Sequence, residues 1–413
     1  WLKYKSVFCF GRAPFSQGPA RFRCGGNDSK MGCGGSSDRG VGVGAQKERR
    51  RLSVGHIEND QSDPVVDVSD ADRGLISTLD GESLMGLLAN DDRKFSIGSN
   101  TDNNTKQSFA MKKLHKSGDD LDPADLGIGY TCRKGLKPES PNQDSWFVLK
   151  IDSFSVYAVF DGHGKTGHDC SQFVKENMPK LIVKHSAFKS DDMKQMMDDI
   201  FMTMQSLLVT ADRMNKVSAQ LAGTTATVII HDHTRKKLTI AHVADSTSVL
   251  ARYKGENKVI EAVVLTRDHK PDLKDERARI EKTGGRVVFD GYANHRVYSK
   301  KGKYPGLNMS RCLGDIVGQE SAGITCRPEV SERLLDDNDV FLLVCSDGVW
   351  EFITPQEAVD IVHGFSAKDA AKAAEALAKE AWDRWIREEG GMVVDDITVV
   401  LVYPYFANGP PKP

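Results

Sequence analysis

The sequence is short of three things. No apolar run approaches the ~18 residues a bilayer-spanning helix needs, so no helical span is expected. Its eight cysteines, Cys9, Cys24, Cys33, Cys132, Cys170, Cys312, Cys326 and Cys345, contain no C-x-x-C pair. A zinc ribbon or thioredoxin-like site is therefore not expected, and the scatter points to free thiols in a reducing compartment. Charge of one sign is also lacking: 56 basic against 58 acidic residues leave a net charge of -2. That balance conceals a split. Residues 1–51 carry a net +8, so the remainder carries -10, which argues against a chain-wide nucleic-acid binder. At 39% hydrophobic, the 413 residues can build a core, but they read as one large domain with polar extensions.

The first methionine, Met31, is followed by Gly32, Cys33 and, three positions on, Ser36. This is an N-myristoylation pattern if Gly32 is the mature amino terminus, and Cys33 could take a palmitate. Two acyl anchors hold a membrane stably where one does not. The basic run at 47–51 would add attraction to anionic lipid. The alternative is a Gly-rich tail, with eleven glycines in residues 1–55. Arg50-Arg51-Leu52-Ser53 makes Ser53 a candidate phosphosite. Location is expected to be cytoplasmic, with membrane association through acylation or nuclear residence as alternatives.

Four segments are expected: a Gly-rich basic tail (1–55), a polar, largely disordered linker (56–126), a catalytic domain (127–405) and a short tail (406–413). Within the domain, 145–151 and 154–160 read as a strand hairpin. Residues 166–185 and 191–215 read as helices, the second rich in methionine that suits core packing. Four strands over 225–265 follow, then a helix over 274–283. Strands at 340–345 and 397–403 flank a long helix over 367–389. Consecutive strands without intervening helices argue for antiparallel sheets with helices outside.

Aspartates recur at the ends of apolar strands. Asp161 closes Val156–Phe160 and Asp347 closes Val340–Cys345, each followed by glycine. Asp395 precedes Ile397–Val402, Asp245 follows Leu238–Val243, and Asp144 precedes Trp146–Leu149. Carboxylates desolvated at strand ends need a counter-charge. With no Cys/His cluster beside them, the chemistry is that of Mg²⁺ or Mn²⁺ rather than zinc.

Asp161-Gly162-His163-Gly164 resembles the signature of the metal-dependent Ser/Thr protein phosphatases of type 2C, the PPM family. Further blocks in family order are Ala222–Ala226, Ala244–Ser246, Leu265–Pro271, Ser310–Asp315, Cys345–Trp350 and Asp395–Thr398. The resemblance implies an α+β fold, a central β-sandwich of two antiparallel sheets flanked by α-helices. It implies that Asp161 bridges two metal ions and that Gly162 lends one its carbonyl. Asp347 and Asp395 would bind the other, and Asp144 would hold metal waters. Asp245 with Asp347 would take a weaker third ion. His163 would be the general acid in direct attack by a metal-activated hydroxide on phosphoserine or phosphothreonine. Asp268, His269 and Lys270 would begin a flap beside the site. Phosphoprotein substrates, a monomer and no nucleic-acid partner are the corresponding expectations.

Three departures matter. Gln143 stands where the family often has Glu, and Ala244 where it has Gly. The family's phosphate-binding Arg is absent, leaving Lys137, or Arg133, as the nearby cation. A catalytically weak relative acting as scaffold or regulator is the alternative. A two-metal nuclease is disfavoured by the acidic body. For the amino end, wild type expressed from Met31 should partition into membranes and Gly32→Ala should not. Equal partition would remove the acylation reading.

Overall fold

The strand Asp144–Ile151 is apolar at nearly every position, and its alternate residues project to opposite faces. Trp146 and Val148 enter one buried cluster, while Phe147, Leu149 and Ile151 enter another. A strand buried on both faces demands a layer above and a layer below. The computed structural model, which describes residues 70–137 and 141–405, supplies both. Gly32, Cys33 and Ser53 lie outside the described residues.

Among the described residues the larger sheet has nine antiparallel strands. Its main order is Glu329–Leu334, Lys237–Val243, Ala226–Asp232, Phe154–His163, Asp144–Ile151, Lys94–Asn100 and Lys113–Gly118. Two short strands, Gly223–Thr224 and Leu313–Gly314, extend the end of Phe154–His163. The smaller sheet runs Val259–Val264, Thr247–Lys254, Asp339–Cys345, Ile397–Val402 and Ile128–Arg133. Phe95, Trp146, Tyr157, Leu342 and Val400 fill the space between them.

Helices Gly167–Lys184 and Met193–Arg213 cover the outer face of the larger sheet. Met193, Met196, Met197 and Met204 of the second are fully buried and belong to the core, while Met202 is exposed. Helices Pro355–His363 and Ala370–Glu388 cover the smaller sheet. The former starts at a capping box between Thr354 and Glu357. The sandwich flanked by helices is the α+β architecture expected. A third sheet, Arg286–Phe289, His295–Tyr298 and Pro305–Leu307, packs with helix Lys274–Lys282 around Ile280 and Val297. Asp290-Gly291 turns its first hairpin. No helix among the described residues is long and apolar enough to cross a membrane.

The expectation of a largely disordered linker over 56–126 fails for its described part. Helix Asp70–Gly81 buries Ile76 and Leu79. Strand Lys94–Asn100 pairs with Asp144–Ile151 and puts Phe95 and Ile97 between the sheets. Residues 110–112 add a bridge beside Ile128–Arg133 on the other sheet. Leu114 stays exposed, but Ile76, Leu79, Phe95 and Ile97 enter clusters built by residues far downstream. Local periodicity cannot show such a core. Phe95→Ala should therefore destabilise by about 3–5 kcal/mol in urea unfolding, whereas a linker position would stay within roughly 0.5 kcal/mol.

Candidate metal centre

Strand register brings the first two carboxylates together. Asp144 lies directly opposite Asp161 in the antiparallel pair. Both continue the alternation of Trp146, Val148, Tyr157 and Val159, so both belong to the face between the sheets. Asp347 opens a short helix, Asp347–Trp350, just past Asp339–Cys345. Asp395 and Asp396 immediately precede Ile397–Val402. Four chain segments thus deliver acids to one edge of the sandwich.

The surroundings fix each acid differently. Ser346 Oγ and Thr398 Oγ1 both donate to Asp144 Oδ2, at 2.7 Å each. Asp396 accepts from the backbone N–H of Gly135 at 2.6 Å and of Gln143 at 2.7 Å. Asp395 pairs with Lys137 Nζ at 2.6 Å. Gly162 must be glycine, because a Cβ there would lie 2.3 Å from the Gly167 carbonyl oxygen. Lys112, from the amino-terminal segment, is buried and donates to the carbonyls of Asn142 and Asp144, buttressing the strand that presents Asp144. Lys112 is not singled out by sequence, and Asp396 only as the neighbour of Asp395. The Lys112 signal was hidden in the segment read as linker.

Burial, followed by the Asp396 charge, pushes the Asp144 carboxyl up to about 7. Burial raises Asp161 well above the ordinary range, with Asp144, Asp347 and Asp395 adding to it. Asp347 is raised likewise, by burial and then by Asp395 and Asp245. Asp144 Oδ1 and Asp347 Oδ1 are buried with no protein donor. Repelling carboxylates with unpartnered oxygens are costly in a fold. A divalent cation would satisfy both, and an all-oxygen donor set fits Mg²⁺ or Mn²⁺. Asp144, Asp161, Asp347, Asp395 and the Gly162 carbonyl are the groups that could hold it.

The remaining expected residues divide. Asp245 sits in the loop after Lys237–Val243, ion-paired with Lys270. His163 Nε2 meets Asp315 Oδ2 at 2.5 Å. Burial would pull its pKa down, but the Asp315 carboxylate outweighs this and raises it. Asp315, quoted only as part of a motif, is the partner sequence reading missed. Lys137 reaches the centre, and Asp395 and Asp396 overcome burial to hold its ammonium well above the usual range.

Arg133 does not reach it. Its guanidinium pairs with Glu375 at 2.8 Å and lies over Phe109. Thr131, two residues earlier, shares Glu375, so strand alternation turns both toward helix Ala370–Glu388. Gln143 is a tie within the loop, donating from Nε2 to the Gly164 carbonyl at 2.8 Å. Asp268, His269 and Lys270, expected to begin a flap, are anchored to the loop that carries Asp245. Asp268 accepts from Thr247, and fully buried His269 stacks on His242. Burial, then His242, pulls His269 down to about 2.

The sequence and the fold find counterparts among known proteins. Residues 138–389 match the family model for protein phosphatase 2C. The probable protein phosphatase 2C 34 of Arabidopsis thaliana is 30% identical over 327 residues, 76% of this chain and 85% of that protein. The probable protein phosphatase 2C 45 of Oryza sativa subsp. japonica is 32% identical, over 67% of this chain and 87% of its own. The crystal structure of serine-threonine phosphatase 2C from Toxoplasma gondii shares the fold. Its TM-score is 0.58 at 18% identity, covering 74% of this chain and 98% of that one. The chain belongs to the protein phosphatase 2C family, and with it to the serine/threonine protein phosphatases.

The raised carboxyls have a thermodynamic consequence. In the metal-free protein they keep protons that an unfolded carboxyl releases near 3.8. The stability they contribute is complete below that value and is lost as pH rises through the raised values, near 7 for Asp144. Metal-free wild type should therefore melt progressively lower across this window, and Asp161→Asn should show a shallower slope. Mn²⁺ at a hundred times its Kd should add about 2.7 kcal/mol to wild type at neutral pH and much less to Asp161→Asn. Identical pH slopes in thermal unfolding would overturn the shared-cluster account.

Proposed function

We propose that the chain is an active phosphatase hydrolysing phosphoserine and phosphothreonine in proteins at a Mg²⁺- or Mn²⁺-loaded centre. The observation that carries this is the opposed pair Asp144 and Asp161, joined by Asp347 and Asp395, with buried carboxylate oxygens left unpartnered. When bound, the cations supply Lewis acidity that activates a water and offsets charge on the phosphoryl oxygens. The chain's own groups do the rest. Lys137, held beside Asp395, is the cation placed to meet those oxygens in the role the missing Arg would fill. Asp315 takes His163 Nε2 and leaves Nδ1 without a protein partner, the nitrogen free to protonate the departing serine or threonine oxygen. Asp245, ion-paired with Lys270, would take the weaker third ion once that ammonium moves aside.

The alternative, a weak relative acting as scaffold, leans on Gln143. In this fold the Gln143 side chain donates to the Gly164 carbonyl and its backbone N–H to Asp396, which supports a positioning role for it over a ligand's. Attachment to a membrane through Gly32 and Cys33 remains part of the proposal, supported by sequence pattern alone.

Phosphate release from a phosphothreonine peptide should require Mn²⁺. It should fall at least about a hundredfold with EDTA or in Asp347→Asn, the scale of several kcal/mol of lost charge stabilisation. His163→Ala should slow phosphopeptides more than aryl phosphates, whose leaving groups need less protonation. Equal rates with and without metal, and in Asp347→Asn, would sink the reading.

A further inference from the structure

Two short strands, Gly223–Thr224 and Leu313–Gly314, stack on the end of Phe154–His163. His163 is opposite Gly223, and Gly223 is opposite Gly314. This brings Cys312 and Asp315, which flank Leu313–Gly314, up to the imidazole. Cys312 Sγ donates to Asp315 Oδ2 at 3.1 Å, the same oxygen that meets His163 Nε2 at 2.5 Å. The three donor atoms lie within 4.8 Å of one another, and all three residues are buried. Gly223 makes the meeting possible. A Cβ there would lie 2.2 Å from Asp315 Oδ2 and 3.0 Å from His163 Nε2.

This donor set differs in kind from the carboxylates of the metal centre. Those offer hard oxygen and suit Mg²⁺ or Mn²⁺. Imidazole nitrogen, thiolate sulfur and one carboxylate oxygen are zinc ligands, and three of them leave a fourth tetrahedral position for water. We propose that His163 Nε2, Cys312 Sγ and Asp315 Oδ2 form a second cation site selective for a thiophilic divalent ion such as Zn²⁺. Its occupation silences the phosphatase by withdrawing His163 as proton donor. The second part rests on His163 being the general acid; the binding site itself does not.

The proton balance follows from the hydrogen bonds. The 2.5 and 3.1 Å spacings are those of donors sharing protons. Bonds of about 2.0–2.3 Å to zinc place tetrahedral donors roughly 3.3–3.7 Å apart, so the ligands must part by around 1 Å or less. Two protons leave to solvent as the ion enters: the thiol proton and the one between imidazole and carboxylate. Burial and the Asp315 charge keep the free thiol protonated, well above its ordinary range. The ion reverses that preference by supplying the positive charge the pocket lacks. An imidazole whose Nε2 is on zinc cannot become imidazolium, so Nδ1 has no acidic proton to give to the leaving group.

The test uses the full chain with saturating Mg²⁺ to fill the carboxylate centre. Zn²⁺ is titrated against a chromophoric chelator, and Co²⁺ is used as a spectroscopic substitute. Wild type should bind one more Zn²⁺ than Cys312→Ala, and its Co²⁺ form should show a thiolate-to-cobalt charge-transfer band that the variant lacks. Relative to its own zinc-free rate, Cys312→Ala should need at least tenfold more Zn²⁺ for half-inhibition of phosphopeptide hydrolysis. Cys312→Ser, which keeps a donor to Asp315, should lose the band too. Cys170→Ala should keep it, since Cys170 faces the Ser218 carbonyl. Equal stoichiometry and no thiolate band overturn the site. A Cys312-dependent ion that leaves hydrolysis unchanged upholds the site and instead overturns His163 as the acid.

Discussion

The antiparallel register that sets Asp144 against Asp161 is the constraint on which the active edge depends. It is enforced by burial on both faces of the two strands. A slip of one residue would send Trp146 and Val148 toward the helices and Phe147 and Leu149 between the sheets. It would also turn both carboxylates away from Asp347 and Asp395. Hydrophobic packing along the strand thus positions charge at its end.

That charge is a liability in the metal-free fold. Asp144, Asp161 and Asp347 share a buried, mutually repelling environment that pushes each toward its neutral form. The peripheral acids are treated differently: Asp395 has Lys137 and Asp245 has Lys270. The charge without a lysine partner is concentrated on Asp144, Asp161 and Asp347, three of the four carboxylates that would hold divalent cations. The sandwich, with its two helical layers, supplies the stability that tolerates this. The amino-terminal segment contributes directly, because Lys112 hooks the carbonyls at the start of the Asp144 strand. A second polar knot, His163, Asp315 and Cys312, lies at the end of the paired strand Phe154–His163, so two chemistries of opposite softness sit on neighbouring strands.

Much of this was legible. Alternation and apolar runs located the strands at 144–151, 154–163, 339–345 and 397–402 to within a few residues, because both faces are buried and every position reports it. The acids at their ends stood out for the same reason. The errors share a cause. Phe95 and Ile97 are isolated in a polar stretch, and only their distant partners make them core. Arg133 and Lys137 are both plausible cations in sequence. Strand direction sends one to Glu375, and chain reversal brings the other to Asp395. His269, expected in a flap, is fully buried against His242, packing that its own neighbours in sequence do not show.

The sequence by itself determined the fold class and the carboxylates at the strand ends. Side-chain period and strand-end placement are local properties, carried by neighbouring residues. Only the tertiary structure decided which cation meets which acid, that Asp315 and Cys312 converge on His163, and that residues 70–126 complete both sheets. Those pairings join positions tens to hundreds of residues apart. Their energies come from desolvation and contact in an interior that exists only after the sheets have closed on each other.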